Sequence, residues 1–300
     1  MVLRPSTMRL IACGLLGCAG LWTGLGCSRK KAPEQVASPP VEPVLPTAAP
    51  AALAPSGAGS ADSPELVRVP SWIRALPEID VPVKEGEQAW ASAPVAGSEM
   101  AVVGVYTVER VHDKRAVLLD KAGQKARAVP GALIHPLGAR GKLKVEDTAL
   151  GYSWTSAVVL GRVTKIRGDD VQLAYDWAGS TKTATMDHAE PPVRGIAPMA
   201  FVGYPKFERQ SKGLLIAVSK DKGWVQTSSG HVEIHDRGEL KSLDISAKAL
   251  DVGDRVDGYS WTSGYEPGTV SRVLEPGLRY AVGLGPSREQ PYFFADLLHR

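Results

Sequence analysis

Cysteine is missing wherever a fold would use it. All three, Cys13, Cys18 and Cys27, fall at the N-terminal end, and nothing after Cys27 carries a thiol in this 300-residue chain. That excludes disulfide staples, a thiolate zinc cage and a cysteine nucleophile from the folded part. An excess of one charge is also missing: 35 Lys and Arg stand against 32 Asp and Glu, a formal +3. Without Arg4 and Arg9 the balance is 33 − 32 = +1. A nearly neutral chain is a poor candidate for nucleic-acid binding, which rests on clustered phosphate-neutralising charge, and no nucleic-acid partner is expected. A membrane-spanning helix needs ~20 predominantly apolar residues. The uncharged run at 10–26 is seventeen residues long and loosened by five glycines. What the chain does have is 44% hydrophobic and 22% charged residues, enough to bury a core.

The N-terminus has the layout of an export signal, with Arg9, an apolar run and small residues before a cleavage point. Met8-Arg9 offers a compact alternative start to Met1. Gly24-Leu25-Gly26-Cys27 resembles a bacterial lipobox, although the family prefers Leu where Gly24 stands. Leu15-Leu16-Gly17-Cys18 matches that consensus better but leaves a shorter apolar run after Arg9. The resemblance implies a signal peptide over 1–26 and lipid attachment, including palmitate, at Cys27. Ser28, rather than Asp, after the cysteine implies sorting to the outer membrane. The expected location is the bacterial cell envelope, lipid-anchored, on the periplasmic side.

Residues 27–64 are rich in Pro and Ala and poor in aromatic and branched side chains. Such a stretch cannot bury enough to offset its chain entropy, so it reads as a disordered, semi-extended tether. Residues 65–99, with Trp72, Trp90 and repeated prolines, read as an irregular segment packing on the first folded repeat.

From about residue 100 the chain repeats. Gly151-Tyr152-Ser153-Trp154-Thr155-Ser156 recurs as Gly258-Tyr259-Ser260-Trp261-Thr262-Ser263, an offset of 258 − 151 = 107. The same ungapped offset pairs Val111 with Val218, Leu133 with Leu240, Asp147 with Asp254 and Val163 with Val270. This is a tandem duplication, with copies at 100–193 and 207–300. Within each copy, short β-rich runs alternate with Gly, Asp and Pro turns, such as Asp113-Lys114, Gly168-Asp169-Asp170 and Pro276-Gly277. That spacing predicts small sandwiches or barrels. One helix is expected, over 241–250.

Val252-Gly253-Asp254-Arg255-Val256, Pro267-Gly268-Thr269-Val270 and Phe294-Ala295-Asp296-Leu297-Leu298 resemble the Tudor and agenet branch of SH3-like barrels. The resemblance covers about 50 residues at the end of each copy, and is faded in the first. It implies an all-β fold of tandem small SH3-like barrels, two duplicated units of one or two barrels each. It also implies an aromatic rim that holds a cation over its rings. The ring candidates are Tyr259, Trp261, Tyr265 and Tyr280 in the second copy and Tyr152 and Trp154 in the first. Trp261 stands one place later than the family's aromatic, which on a strand turns it to the other face.

The same rings also suit a core. Tyr and Trp two residues apart share a strand face, and in the first copy that face reads Leu150, Tyr152, Trp154, an apolar row. In the second it reads Asp257, Tyr259, Trp261, half polar as a wet rim would be.

Catalytic patterns are not supported. Gly151-Tyr152-Ser153-Trp154-Thr155 lacks the last glycine of a nucleophile elbow and is followed by no helical pattern. His231 and His235 share a strand face but lack a third ligand nearby. No enzyme activity, cofactor or metal is expected. The sequence leads to a non-catalytic envelope lipoprotein whose barrels bind a protein partner or scaffold an assembly. Peptidoglycan is the alternative ligand, and an enzyme whose site the sequence does not reveal is the third reading.

Overall fold

The computed structural model describes residues 69–138, 141–153, 157–245, 249–260 and 262–300. The signal peptide, Cys27 and the 27–64 tether lie outside them. The described chain is all-β, organised as four small antiparallel sheets of five strands each, two per copy, consistent with repeated small barrels.

The first sheet contains β1 (Gln88–Pro94), β2 (Ala101–His112), β3 (Arg115–Leu119), β4 (Lys125–Pro130) and β5 (Ile134–Pro136). The second contains β6 (Thr148–Ser153), β7 (Ala157–Arg167), β8 (Asp170–Trp177), β9 (Ser180–Met186) and β10 (His188–Glu190). The third is built from β11 (Phe201–Lys206), β12 (Arg209–Val218), β13 (Lys222–Gln226), β14 (Val232–Asp236) and β15 (Lys241–Ser242). The fourth is built from β16 (Arg255–Ser260), β17 (Gly264–Glu275), β18 (Arg279–Gly283), β19 (Glu289–Phe293) and β20 (Leu297–His299). In each, four strands form a meander and the fifth returns to pair with the first.

The long second strand of each sheet must bend to curl the meander, and a β-bulge supplies the bend. The bulges recur at the repeat offset. β2 is bulged between Val108 and Arg110, and β12 between Leu215 and Ala217, since 215 − 108 = 107. β7 is bulged between Val163 and Lys165, and β17 between Val270 and Arg272, since 270 − 163 = 107. The anticipated turns also form: Asp113 takes φ 52° between β2 and β3, Gly168 58° between β7 and β8, and Gly277 71° between β17 and β18.

Two expectations are corrected. Residues 65–99 are not irregular throughout, because β1 pairs along its whole length with β2. The copies therefore begin before 100 and 207, since β1 and β11 both precede those limits. An ungapped offset cannot reveal this. The hairpin joining β1 to β2 spans residues 95–100, whereas Phe207-Glu208 alone join β11 to β12. The helix expected over 241–250 is also not formed at its described positions. Lys241–Ser242 pairs with β11, and Ile245 bridges Leu298.

The core follows from alternation. Tyr106 and Val108, two apart on β2, share one inward face, and Val103, Trp90, Leu118, Leu133 and Ile134 belong to the same apolar cluster. That same cluster continues into Ile216, Trp224 and Val232 of the third sheet and Leu150 of the second. The first, second and third sheets thus share apolar surface and Leu160 joins the second to the fourth, while the second and third also hold clusters of their own.

Candidate functional site

The repeated Gly-Tyr motif builds the joints between sheets. A Cβ on Gly151 would lie 2.5 Å from Cδ1 of Leu173 and 2.7 Å from Sδ of Met186, and one on Gly258 would lie 2.8 Å from the Tyr292 ring. These glycines are required by the packing inside their barrels. The next residue on the strand points the opposite way, so Tyr152 and Tyr259 face the neighbouring sheet.

Tyr152 is 7% exposed and stands edge-on to Trp90 of β1, with ring centroids 6.2 Å apart. It lies so close to Gly104 of β2 that a Cβ there would approach its ring to 3.0 Å. In the second copy the Tyr259 hydroxyl is 3.1 Å from Oγ of Ser211 on β12. Lys212 Nζ lies 5.3 Å from the Tyr259 ring centroid. That ammonium also donates to the Ala295 carbonyl at 3.0 Å and pairs with Asp296. Ser211 and Lys212 stand 107 residues after Gly104 and Val105, so both copies use one joint with different side chains.

This placement corrects the expected aromatic rim. Tyr280 is fully buried and its hydroxyl accepts the Leu250 N–H at 3.0 Å, so it belongs to the core. Tyr265 packs on Tyr259 with centroids 5.1 Å apart, and burial of its unpartnered hydroxyl pushes its pKa far up. Tyr152 is buried at its joint. The cation over Tyr259 is the protein's own Lys212. Trp154 and Trp261 lie outside the described residues.

Residues that no motif marks hold the first copy's joint together. Trp90 Nε1 donates to Oε1 of Glu190 at 2.6 Å, and His188 Nε2 lies 3.3 Å from Oε2 of the same carboxylate. The His188 and Glu190 side chains are only 5% and 3% exposed, and the His188 ring meets Trp90 edge-on. Trp90 and Glu190 are 100 positions apart, so only the fold brings them together. Beside them Lys121 pairs with Asp187.

Other joints are polar as well. Arg162, 2% exposed, donates from Nε to the Gly277 carbonyl at 3.0 Å, and its guanidinium lies 4.3 Å from the Phe294 ring centroid. It therefore pins the second sheet to the fourth and is not part of a basic surface. Burial lowers its pKa. His135 donates from Nε2 to the Ile216 carbonyl at 2.8 Å, tying β5 to β12, and burial holds its pKa below the ordinary 6.5. Trp224 Nε1 donates to the Trp72 carbonyl at 3.1 Å. The 95–100 hairpin reaches the third sheet, where the Ala101 N–H donates to Gly230 O at 3.0 Å and the Val232 N–H to Glu99 O at 3.1 Å.

Several surface features are open to a ligand. A cleft of about 160 Å³ between the first and second sheets is lined by Gln88, Thr107, Lys121, Tyr152, Asp187 and His188. A hollow of about 230 Å³ combines an apolar floor, including Leu160, Phe201 and Ile245, with Asp147 and Asp244. Phe207, at the tip of the β11–β12 hairpin, is 96% exposed with φ 56°. His235 rests on the Tyr204 ring, centroids 4.8 Å apart, and no cluster of three metal-ligating side chains occurs among the described residues.

No family model matches the sequence, and no curated protein matches it significantly. Among solved structures the chain is similar to the four MBT repeats of Drosophila melanogaster Sfmbt in complex with the peptide RHR(me)KVLR. The match has 10% identity and covers 72% of this chain and 88% of that one, with a TM-score of 0.16. At that score the two molecules do not superpose, and the fold is defined by its own strand pairing.

Proposed function

We infer that this protein is a non-catalytic envelope lipoprotein, anchored through Cys27 to the outer membrane and facing the periplasm. Its four sheets are then SH3-like, Tudor-like barrels that dock a protein partner or scaffold an assembly. The lipobox resemblance and the Pro/Ala tether support the anchoring. The observation that carries the docking is Phe207. An aromatic ring left 96% exposed on a left-handed backbone costs about 1–2 kcal/mol in strain, and such outliers cluster at functional sites. Exposed aromatics that fill a partner's pocket are the common anchors of protein interfaces.

The test is cross-linking and capture from an envelope extract with the full chain and with Phe207→Ala. A defined partner captured by the wild type and lost by an equally stable Phe207→Ala is the expected result. Equal capture by both removes Phe207 from the site. Sedimentation of the chain with purified sacculi, and no protein captured, would replace the partner with peptidoglycan.

A further inference from the structure

The two copies make the same joint, and only one of them is filled. Over Tyr259 the space is taken by Lys212, whose ammonium reaches Asp296 and the Ala295 carbonyl. The residue 107 positions earlier is Val105, which has no ammonium to place there. Over Tyr152 the corresponding region is the open cleft of about 160 Å³.

The cleft's walls are fixed and its mouth is charged. His188 lines it with a side chain 5% exposed, held by Glu190, which is itself held by Trp90. Lys121 and Asp187 place an ammonium and a carboxylate together at the mouth, with side chains 62% and 30% exposed. Tyr152, Gln88 and Thr107 add neutral hydrogen-bonding groups. A cavity of roughly 150 Å³ takes a molecule the size of benzene, about six heavy atoms. A small α-amino acid has that size.

We propose that this cleft is a binding site for an α-amino-carboxylate zwitterion, its ammonium on Asp187 and its carboxylate on Lys121, against the Tyr152 ring. Binding exchanges one exposed intramolecular ion pair, worth little in water, for two pairs made in a partly desolvated cleft. The zwitterion can be a free amino acid or the free end of a diamino acid in a wall peptide. The site goes beyond the partner-docking reading and does not depend on it, since Phe207 is on another sheet.

The test is isothermal titration of the purified full chain with glycine, L-alanine and D-alanine. Acetate and ethylamine serve as single-charge controls, and soluble wall fragments carrying a diamino acid form a separate arm. Saturable binding of at least one amino acid is expected, with both controls at least about tenfold weaker. Lys121→Ala and Val105→Lys should each weaken it by about tenfold or more, the second by supplying the plug that the other copy carries. Tighter binding of the wall fragment than of any free amino acid identifies the wall as the source, and the reverse order identifies the free amino acid. The proposal is overturned if neither amino acids nor fragments bind, or if a folded Val105→Lys binds as well as the wild type. Should Val105→Lys fail to fold, Lys121→Ala decides alone, because that side chain is mostly exposed, and unchanged affinity there also overturns the site.

Discussion

The hydroxyl of Tyr259 lies 3.1 Å from Oγ of Ser211, a contact between the third and fourth sheets. Its counterpart in the first copy is the close approach of Tyr152 to Gly104. The most recognisable stretch of the sequence thus serves a joint between paired sheets, with its glycine packed inside one barrel and its tyrosine laid against the next. Duplication carried the whole two-sheet unit, joint included.

Tyr259→Phe should cost about 1 kcal/mol, the net value of the hydrogen bond to Ser211. Tyr152→Ala should cost about 3 kcal/mol, because it empties a buried ring site beside Trp90. Urea denaturation followed by tryptophan fluorescence gives both numbers. Equal effects from the two variants would mean that the tyrosines are not packed as described.

Glu190→Ala should destabilise by about 2 kcal/mol, since it strands the Trp90 indole N–H in a buried site. Glu190→Gln retains an acceptor for that N–H and should cost less than half as much. The comparison of their urea midpoints checks this, and a harmless Glu190→Ala would show that the buried network contributes nothing.

His135 should make stability fall in mild acid. Burial keeps the folded-state pKa below the ordinary 6.5, so the unfolded chain takes up the proton first as pH drops. The contribution of the neutral, buried imidazole is complete above 6.5 and is lost as pH falls through the lowered folded value. His135→Gln keeps a donor for the Ile216 carbonyl and should flatten that part of the profile. Melting temperatures of wild type and variant across this range give the slope directly.

Phe207→Asn should raise stability by about 1 kcal/mol, because asparagine tolerates the left-handed region better than a bulky ring. The same variant should lose the captured partner. A stability gain without loss of capture would show that the exposed ring serves no interface.

Much of the fold was legible in the residues, for local reasons. The valine-rich run of β2, with Asp113, Gly168 and Gly277 at turns, announced strands, and the 107-residue offset announced the duplication, whose paired bulges the structure then showed. The start of each copy was not legible, because six hairpin residues in the first copy and two in the second put β1 and β11 out of register. The candidate site was harder still. Tyr152 and Tyr259 take equivalent places on β6 and β16, as the duplication implies, yet what each meets is decided by residues far off in sequence. Trp90 and Glu190 come together across 100 positions. Tyr280 was indistinguishable from a rim residue because a buried tyrosine whose hydroxyl finds Leu250 has the same local pattern as a ligand-binding one.

The hairpin at 95–100 makes the two halves of this chain non-interchangeable. The first half owns the six-residue arm, and what the arm grips is the Gly230–Val232 segment of its sister. The arm is thus the hook of this clasp and the Gly230–Val232 segment its eye. A chain assembled from two second halves would carry two eyes and no hook.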